Sequence, residues 1–216
     1  VMAQIMRPTA AQKIAHTTGK LGLKGIENQQ GAAVNIFDTV VVATGTGRQT
    51  LTFFKNTSTK SRNYSNWQQG EFKAGETLAV EYVNIELLTL TSSNLGDDTN
   101  AITAIAEIGA DLQTRLIASG MASLKIANDT VFKDFLLIEA QPELNPANSG
   151  LAALVPGASL QVIGRTSIKL PSMPVVPPNQ GIEFTIEIPP ITITGVRAVR
   201  LTLGRQGSIF ASKTTL

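Results

Sequence analysis

Side chains able to carry out acid–base, nucleophilic or metal chemistry are few in this chain of 216 residues. His16 is the only histidine, and there is no cysteine. A Ser-His-Asp triad or a zinc site built on histidine needs that residue beside other reactive groups, and disulfides and thiolate metal sites need cysteine. His16 instead lies in a terminal segment that glycines interrupt. We therefore expect no catalytic residue, no cofactor and no metal ion.

The acidic residues are scattered rather than paired for catalysis. Glu183 and Glu187 lie four residues apart on one predicted strand, which separates them by about 13 Å at a rise of roughly 3.3 Å per residue. That is too far for the two carboxylates of a glycosidase. Asp97 and Asp98 are not followed by the regular spacing of a calcium loop, and Gly45-Thr46-Gly47 lacks the Gly-Lys-Ser/Thr of a phosphate loop. The sequence predicts that the protein is not an enzyme.

Charge is segregated along the chain. Residues 1–26 and residues 189–216 each carry a net charge of +4 and no acid, whereas residues 27–188 carry −6. Two basic ends on a weakly acidic body favour contact with an anionic partner or with a neighbouring subunit. The N-terminal cations that we expect to make such contacts are Arg7, Lys13, Lys20 and Lys24.

Residues 1–31 are predicted to form a basic arm, followed by a single domain over residues 32–216. The arm is either a flexible tail or a segment that becomes ordered against neighbouring subunits, a genome or an internal membrane, and a short amphipathic helix over residues 9–17 fits its pattern. Four cations without interleaved aromatic residues do not support sequence-specific nucleic-acid binding. They suit salt-dependent, non-specific contact with phosphates.

Residues 56–76 form a long polar loop that includes the only tryptophan, Trp67. Loops of this length are uncommon without a role. In one interpretation Trp67 fills one end of the core. In the other, Arg62, Tyr64 and Trp67 contact another subunit or a ligand, because arginine and aromatic residues are enriched at interfaces.

Alternating apolar and β-branched residues predict an all-β protein with about eight main strands. Residues 32–55 are typical of a hairpin turning at Gly45-Thr46-Gly47, and residues 78–90 of a long strand whose apolar parity switches near Tyr82–Val83, which indicates a bulge or bend. Further strands are predicted over residues 122–127, 131–138, 160–164, 168–170, 182–188 and 196–203. This pattern favours an antiparallel jelly-roll sandwich, and a Greek-key sandwich remains the alternative.

One α-helix is predicted within this β-rich pattern, over residues 100–119. Apolar residues recur there every three or four positions, Asp98 and Thr99 are the candidate N-caps, and Gly120 is the candidate terminator. No stretch of about 20 apolar residues predicts a membrane span, and no signal peptide is expected.

Three groups of residues, spread over residues 50–205, resemble the major capsid proteins of tailless icosahedral bacteriophages. The first group is Thr52-Phe53-Phe54, Lys60, Ser65-Asn66, Gly70-Glu71-Phe72 and Ala74-Gly75-Glu76. The second is the predicted helix with Leu124-Lys125-Ile126. The third is Ile168-Lys169-Leu170-Pro171, Asn179-Gln180-Gly181-Ile182-Glu183-Phe184 and Val199-Arg200-Leu201-Thr202-Leu203-Gly204.

The resemblance implies a structural shell subunit in the virion, assembled in the host cytoplasm from jelly rolls that stand upright on the capsid. Many relatives have two jelly rolls in a chain, whereas about eight strands favour one here. The expected partners are further copies of the chain, in trimers or larger assemblies, and other virion proteins, through lateral loop and arm contacts. The alternative function is a virion spike or a carbohydrate-binding β-sandwich module, with Tyr64 and Trp67 as its platform.

Overall fold

The computed structural model describes residues 9–20, 29–33, 35–55, 57–67, 76–105, 119–137, 141–142, 165–170, 173–204 and 208–212. These residues form mostly β-strands in antiparallel sheets, as the sequence predicts for an all-β protein. One α-helix, α1 (Ala10–Lys20), is described along its whole length. Its first turn is closed reciprocally, because the Gln12 backbone N–H donates to Thr9 Oγ1 and the Thr9 N–H donates to Gln12 Oε1.

Two large sheets form the body of the molecule. The six-stranded sheet contains β2 (Ile36–Val42), β13 (Val196–Gly204), β5 (Tyr82–Leu90), β10 (Arg165–Lys169) and β9 (Gln141–Pro142) in that order, with β6 (Ile102–Ile105) also paired to β5. The facing sheet contains β3 (Gln49–Phe53), β12 (Ile182–Ile188), β7 (Met121–Ile126) and β8 (Asp129–Leu136). A third, small sheet contains β1 (Gln29–Ala33), β14 (Ser208–Ser212), β4 (Leu78–Ala79) and β11 (Val175–Val176).

The main core lies between the six-stranded sheet and the facing sheet. β12 shows why: Phe184 and Ile186 point inward and are buried, whereas Glu183 and Glu187 alternate outward. Phe184 packs edge-on against Phe53, with ring centroids 6.3 Å apart. The alternation read from the sequence of β12 is therefore the alternation of the folded strand.

Pairing between strands is nested along the chain. The outermost pair joins β2 to β13, the next joins β3 to β12, the third joins β5 to β10, and the innermost joins β7 to β8. All four pairs are antiparallel, and successive pairs alternate between the six-stranded sheet and the facing sheet. Lateral pairing of β13 with β5 and of β12 with β7 completes each sheet.

The predicted hairpin over residues 32–55 is wrong in its pairing, although both strands exist. β2 pairs with β13 and β3 pairs with β12, so the two strands lie in different sheets. The turn between β2 and β3 is held by a segment distant in sequence, because Gly45 and Ile191 exchange two backbone hydrogen bonds of 3.0 and 3.1 Å.

The first part of the helix predicted over residues 100–119 is also wrong. Residues 102–105 form β6 and pair with the end of β5, since the β-branched residues Ile102, Thr103 and Ile105 suit a strand beside an open edge. Asp98 and Thr99 belong to a loop and cap no helix in the described residues. Residues 106–118 lie outside the described residues, and Ser119 after them has helical backbone.

The predicted break in the strand over residues 78–90 is confirmed, two residues earlier than expected. β4 ends at Ala79 and belongs to the small sheet, whereas β5 begins at Tyr82 in the six-stranded sheet. Between them, the Val80 N–H donates to the Pro174 carbonyl at 2.8 Å. The parity switch thus marks a change of sheet.

Candidate contact surfaces

Residues 57–67 of the predicted polar loop form a structured unit closed at its base, and residues 56 and 68–75 lie outside the described residues. The Thr57 hydroxyl donates to the Trp67 carbonyl, and a short 3₁₀ turn, Thr57–Thr59, begins the loop. The loop docks against a second loop, residues 91–101, which connects β5 to β6. The Ser61 N–H donates to the Leu95 carbonyl at 2.8 Å, and the Ser61 hydroxyl donates to the Asp98 carboxylate.

Asn100 gives the second loop its shape. Its amide nitrogen donates to the carbonyls of Ser92 and Asn94, at 2.8 and 3.0 Å. Its amide oxygen accepts from the Thr91 hydroxyl at 2.9 Å and from the Ser92 N–H at 3.0 Å. A buried amide with both its donor and its acceptor atom satisfied fixes the loop in one conformation.

The two loops also approach each other closely through a glycine. A Cβ added at Gly96 would lie 2.7 Å from the Thr59 carbonyl oxygen, closer than real Cβ atoms come. Glycine is therefore required for the contact at this position, whatever its backbone conformation.

Tyr64 and Trp67, the aromatic residues predicted as contacts, point into the molecule. Trp67 is 5% exposed, belongs to the main core and packs edge-on against Phe54 with centroids 6.4 Å apart. Tyr64 is fully buried in a second apolar cluster with Leu88 and Leu90, and its hydroxyl donates to a loop carbonyl. The rings therefore offer almost no surface to a glycan or a second subunit.

Arg62 precedes both buried aromatic residues in sequence and is exposed. A contact of Arg62 with another subunit remains a prediction.

Burial raises the pKa of the Tyr64 phenol above its ordinary value of 10.0, the positive charge of Arg200 opposes that rise, and Asp97 adds to it. The pKa of the Asp97 carboxyl is lowered by hydrogen bonds from the side chain and backbone of Thr99.

A buried ion pair joins the polar loop to β2. Asp38 is completely buried, and its Oδ1 lies 2.7 Å from Lys60 Nζ, which also donates to the Thr39 carbonyl at 2.8 Å. Its other oxygen, Oδ2, accepts from the Phe54 N–H at 2.7 Å, where the backbone takes a left-handed φ of 64°. Sequence analysis missed this pair, although a carboxylate within the apolar run of β2 was a usable signal.

The polar loop also covers the free edge of β2. The Asn66 side chain accepts from the Phe37 N–H and donates to the Asn35 carbonyl, both at 2.7 Å, as a neighbouring strand would. A bridge between Asp38 and Ser65 extends this cover. Backbone groups at the start of this edge, from Asn35 to Asp38, are therefore occupied within the chain.

Two of the four N-terminal cations, Lys13 and Lys20, lie on α1, and Arg7 and Lys24 lie outside the described residues. The helix is anchored by Ile14, which is buried against Ala79 and Val175. An open groove of about 550 Å³ runs between α1 and residues 173–175. Lys13 and His16 line its helical wall, which therefore carries the positive charge of Lys13.

In the basic C-terminal segment, Arg200 is built into the sheet rather than left at a free end. Its guanidinium lies 5.2 Å from the centroid of the Phe37 ring and donates to the Asn63 carbonyl at 3.1 Å. Burial lowers the pKa of Arg200, and the negative charge of Glu86 opposes that shift. Arg200 therefore helps to hold the polar loop on the sheet.

Metal-binding groups of three or more histidine or acidic residues are absent from the described ranges. None of the helices in the described part of the chain is both long and apolar enough to cross a membrane. Neither a protein-family model, nor a curated protein, nor a solved structure matches this chain.

Proposed function

We propose that this chain is a structural subunit of an icosahedral bacteriophage capsid, built on a single jelly roll. The observation that supports this most is the nested strand pairing. Counted along the chain, the eight strands β2, β3, β5, β7, β8, β10, β12 and β13 pair first with last, second with seventh, third with sixth, and fourth with fifth.

This pairing is what a long antiparallel ribbon gives when it rolls up into two sheets. Each pair alternates from one sheet to the other, and the sheets then close around one core. A jelly roll has this arrangement, with eight strands in two Greek keys. The remaining short strands belong to the small sheet or extend the six-stranded sheet at β5 and β10.

A jelly roll by itself serves capsids and lectins alike. Three groups of residues that resemble bacteriophage capsid proteins favour a capsid subunit over a lectin. Burial of Tyr64 and Trp67 removes the platform on which the glycan-binding alternative depended. Rigid β-packing with ordered, polar loops suits a subunit that meets many copies of itself.

The partners in this proposal are further copies of the chain, in trimers or larger assemblies, and other virion proteins. Its place is in the virion, after assembly in the host cytoplasm. The basic segment that includes Lys13 and Lys20 would contact the genome or an internal membrane without sequence specificity.

Light scattering with negative-stain microscopy across a range of salt concentrations tests the proposal. We expect trimers, rings, sheets or shells of the purified chain, in amounts that change with salt because charged ends take part. A protein that stays monomeric at high concentration under every salt condition would overturn the proposal.

A further inference from the structure

The two docked loops together form a polar groove at the surface. It is open, has a volume of about 480 Å³, and is lined by residues 58–62 from the polar loop and by Gly96 and Asp98 from the second loop. We call it the docked-loop surface. Its lining combines hydroxyl groups with Arg62, Lys60 and Asp98, so both signs of charge lie on one patch.

The docked-loop surface is organised before any partner arrives. Ser61 is hydrogen-bonded to the second loop through both its N–H and its hydroxyl, and Gly96 brings the two backbones into direct contact. Asn100 fixes the second loop from inside. A contact surface held in this way loses little conformational entropy on binding.

Two charges on this surface form no ion pair within the described residues, although the Asp98 carboxylate accepts a hydrogen bond from the Ser61 hydroxyl. Arg62 and Asp98 are both exposed. The ion pairs within the described residues use Arg48, Lys55, Lys60 and Lys133 with their acids, and none includes Arg62 or Asp98. A positive and a negative group on one rigid patch make that patch complementary to a second copy of itself.

The edges of β2 and β8 are less suited to association than this surface. The first part of the free edge of β2 is covered by Asn66. β8 has two irregularities in its register with β7 and carries Lys133 and Asp134 at one of them. Bulges and charges of this kind oppose edge-to-edge pairing, which directs association towards side-chain contacts.

We propose that the docked-loop surface is a contact between copies of this chain, in which Arg62 of one copy faces Asp98 of the next. This inference rests on the proposed function, because it names the surface through which the subunits assemble. The partner is a second copy of the chain, and the recognition is a reciprocal or head-to-tail pairing of guanidinium with carboxylate.

Charge reversal at the two positions tests the contact. R62E places two acids in the contact and D98K places two cations, so each variant alone should need at least about tenfold more protein to assemble than the wild type, since juxtaposed like charges are costly. An equimolar mixture of R62E and D98K restores opposite charges and should assemble at concentrations where neither variant does. Light scattering measures all three samples.

Two control variants separate charge from folding. R48E reverses a charge whose partner, Glu187, lies on the outer face of the facing sheet, and it should assemble as the wild type does. K55E reverses the charge of an exposed lysine whose partner, Glu183, lies on the facing sheet, and it should also assemble as the wild type does. Thermal unfolding of every variant confirms that it is folded.

The possible outcomes are distinct. If the wild type assembles and each single reversal assembles equally well by itself, the docked-loop contact is overturned and the capsid proposal stands. Reversals that fail alone and also fail as a mixture would overturn it too, because the loss would then be structural. A wild type that never assembles would overturn both proposals.

Discussion

At the scale of single residues, Asp38 is a buried carboxylate that joins several parts of the fold. It accepts hydrogen bonds from Lys60, from the Phe54 N–H and from the Thr39 N–H while completely buried. Three structural units therefore meet at one carboxylate: β2, the end of β3 and the polar loop. Removing its charge would leave the mostly buried Lys60 ammonium without its anion.

We expect Asp38→Asn to lower the free energy of unfolding by about 3–5 kcal/mol, the usual cost of breaking a buried ion pair. Glu183→Gln is the matched control, because the exposed pair of Glu183 with Lys55, 3.6 Å apart, is worth at most about 1 kcal/mol. Urea denaturation measures both. Equal effects of the two substitutions would contradict the assigned role of Asp38.

Tyr64 makes the free energy of unfolding depend on pH in the alkaline range. Because burial raises its pKa in the folded state, the unfolded chain loses the phenolic proton first as pH rises through 10.0. The stabilisation is complete below that pH and is lost as pH rises towards the folded-state pKa. In a Tyr82→Phe background, tyrosinate absorbance should show a higher midpoint for native protein than for protein in denaturant. Equal midpoints would contradict this.

At the scale of elements, the docked loops depend on a glycine that makes room for a carbonyl. We expect Gly96→Ala to destabilise the protein by about 1–3 kcal/mol, as overpacking does, because the new methyl would press on Thr59. Gly47→Ala is the control, since nothing lies within 4 Å of its added Cβ. Thermal unfolding compares the two variants, and a neutral Gly96→Ala would show that the loops can separate freely.

Individual strands were predictable from the sequence where alternation is strict. β12 has the bounds expected from its alternating residues, and β13 is one residue longer than expected. The predicted hairpin and the first part of the predicted helix failed because local pattern does not report distant partners. β3 pairs with β12 rather than with its neighbour in sequence, and Ile102–Ile105 satisfies a helical period and a strand next to β5 equally well.

The proposed contact surface could be predicted only in part. Sequence pattern drew attention to the polar loop and to Arg62, but it could not show that Tyr64 and Trp67 face inward. The contacts of Asp98 and Gly96 with the polar loop could not be predicted from the sequence, because they form only after β5 has brought the second loop beside it. Interfaces assembled from two loops depend on tertiary structure, which no local spacing encodes.

At the scale of the whole molecule, the three sheets have different structural roles. The six-stranded sheet and the facing sheet enclose the main core, whereas the small sheet carries α1 through Ile14. The docked-loop surface is built on residues between β3 and β6 in the body, and the basic helix lies on a different sheet. The proposed contacts between subunits and with an anionic polymer would therefore lie on separate parts of one subunit.

Nested pairing also makes the order of synthesis important. β7 and β8 can pair as soon as both leave the ribosome, because only a two-residue turn joins them. β2 must wait for β13, the last of the eight ribbon strands to be made. Such distant pairing is slow to form, and in a crowded cell an unclosed β2 can meet the β13 of another copy and exchange strands with it. Under the proposed function the chain is made in many copies at once, so β2 would have to pair with its own β13 before it meets a neighbouring copy.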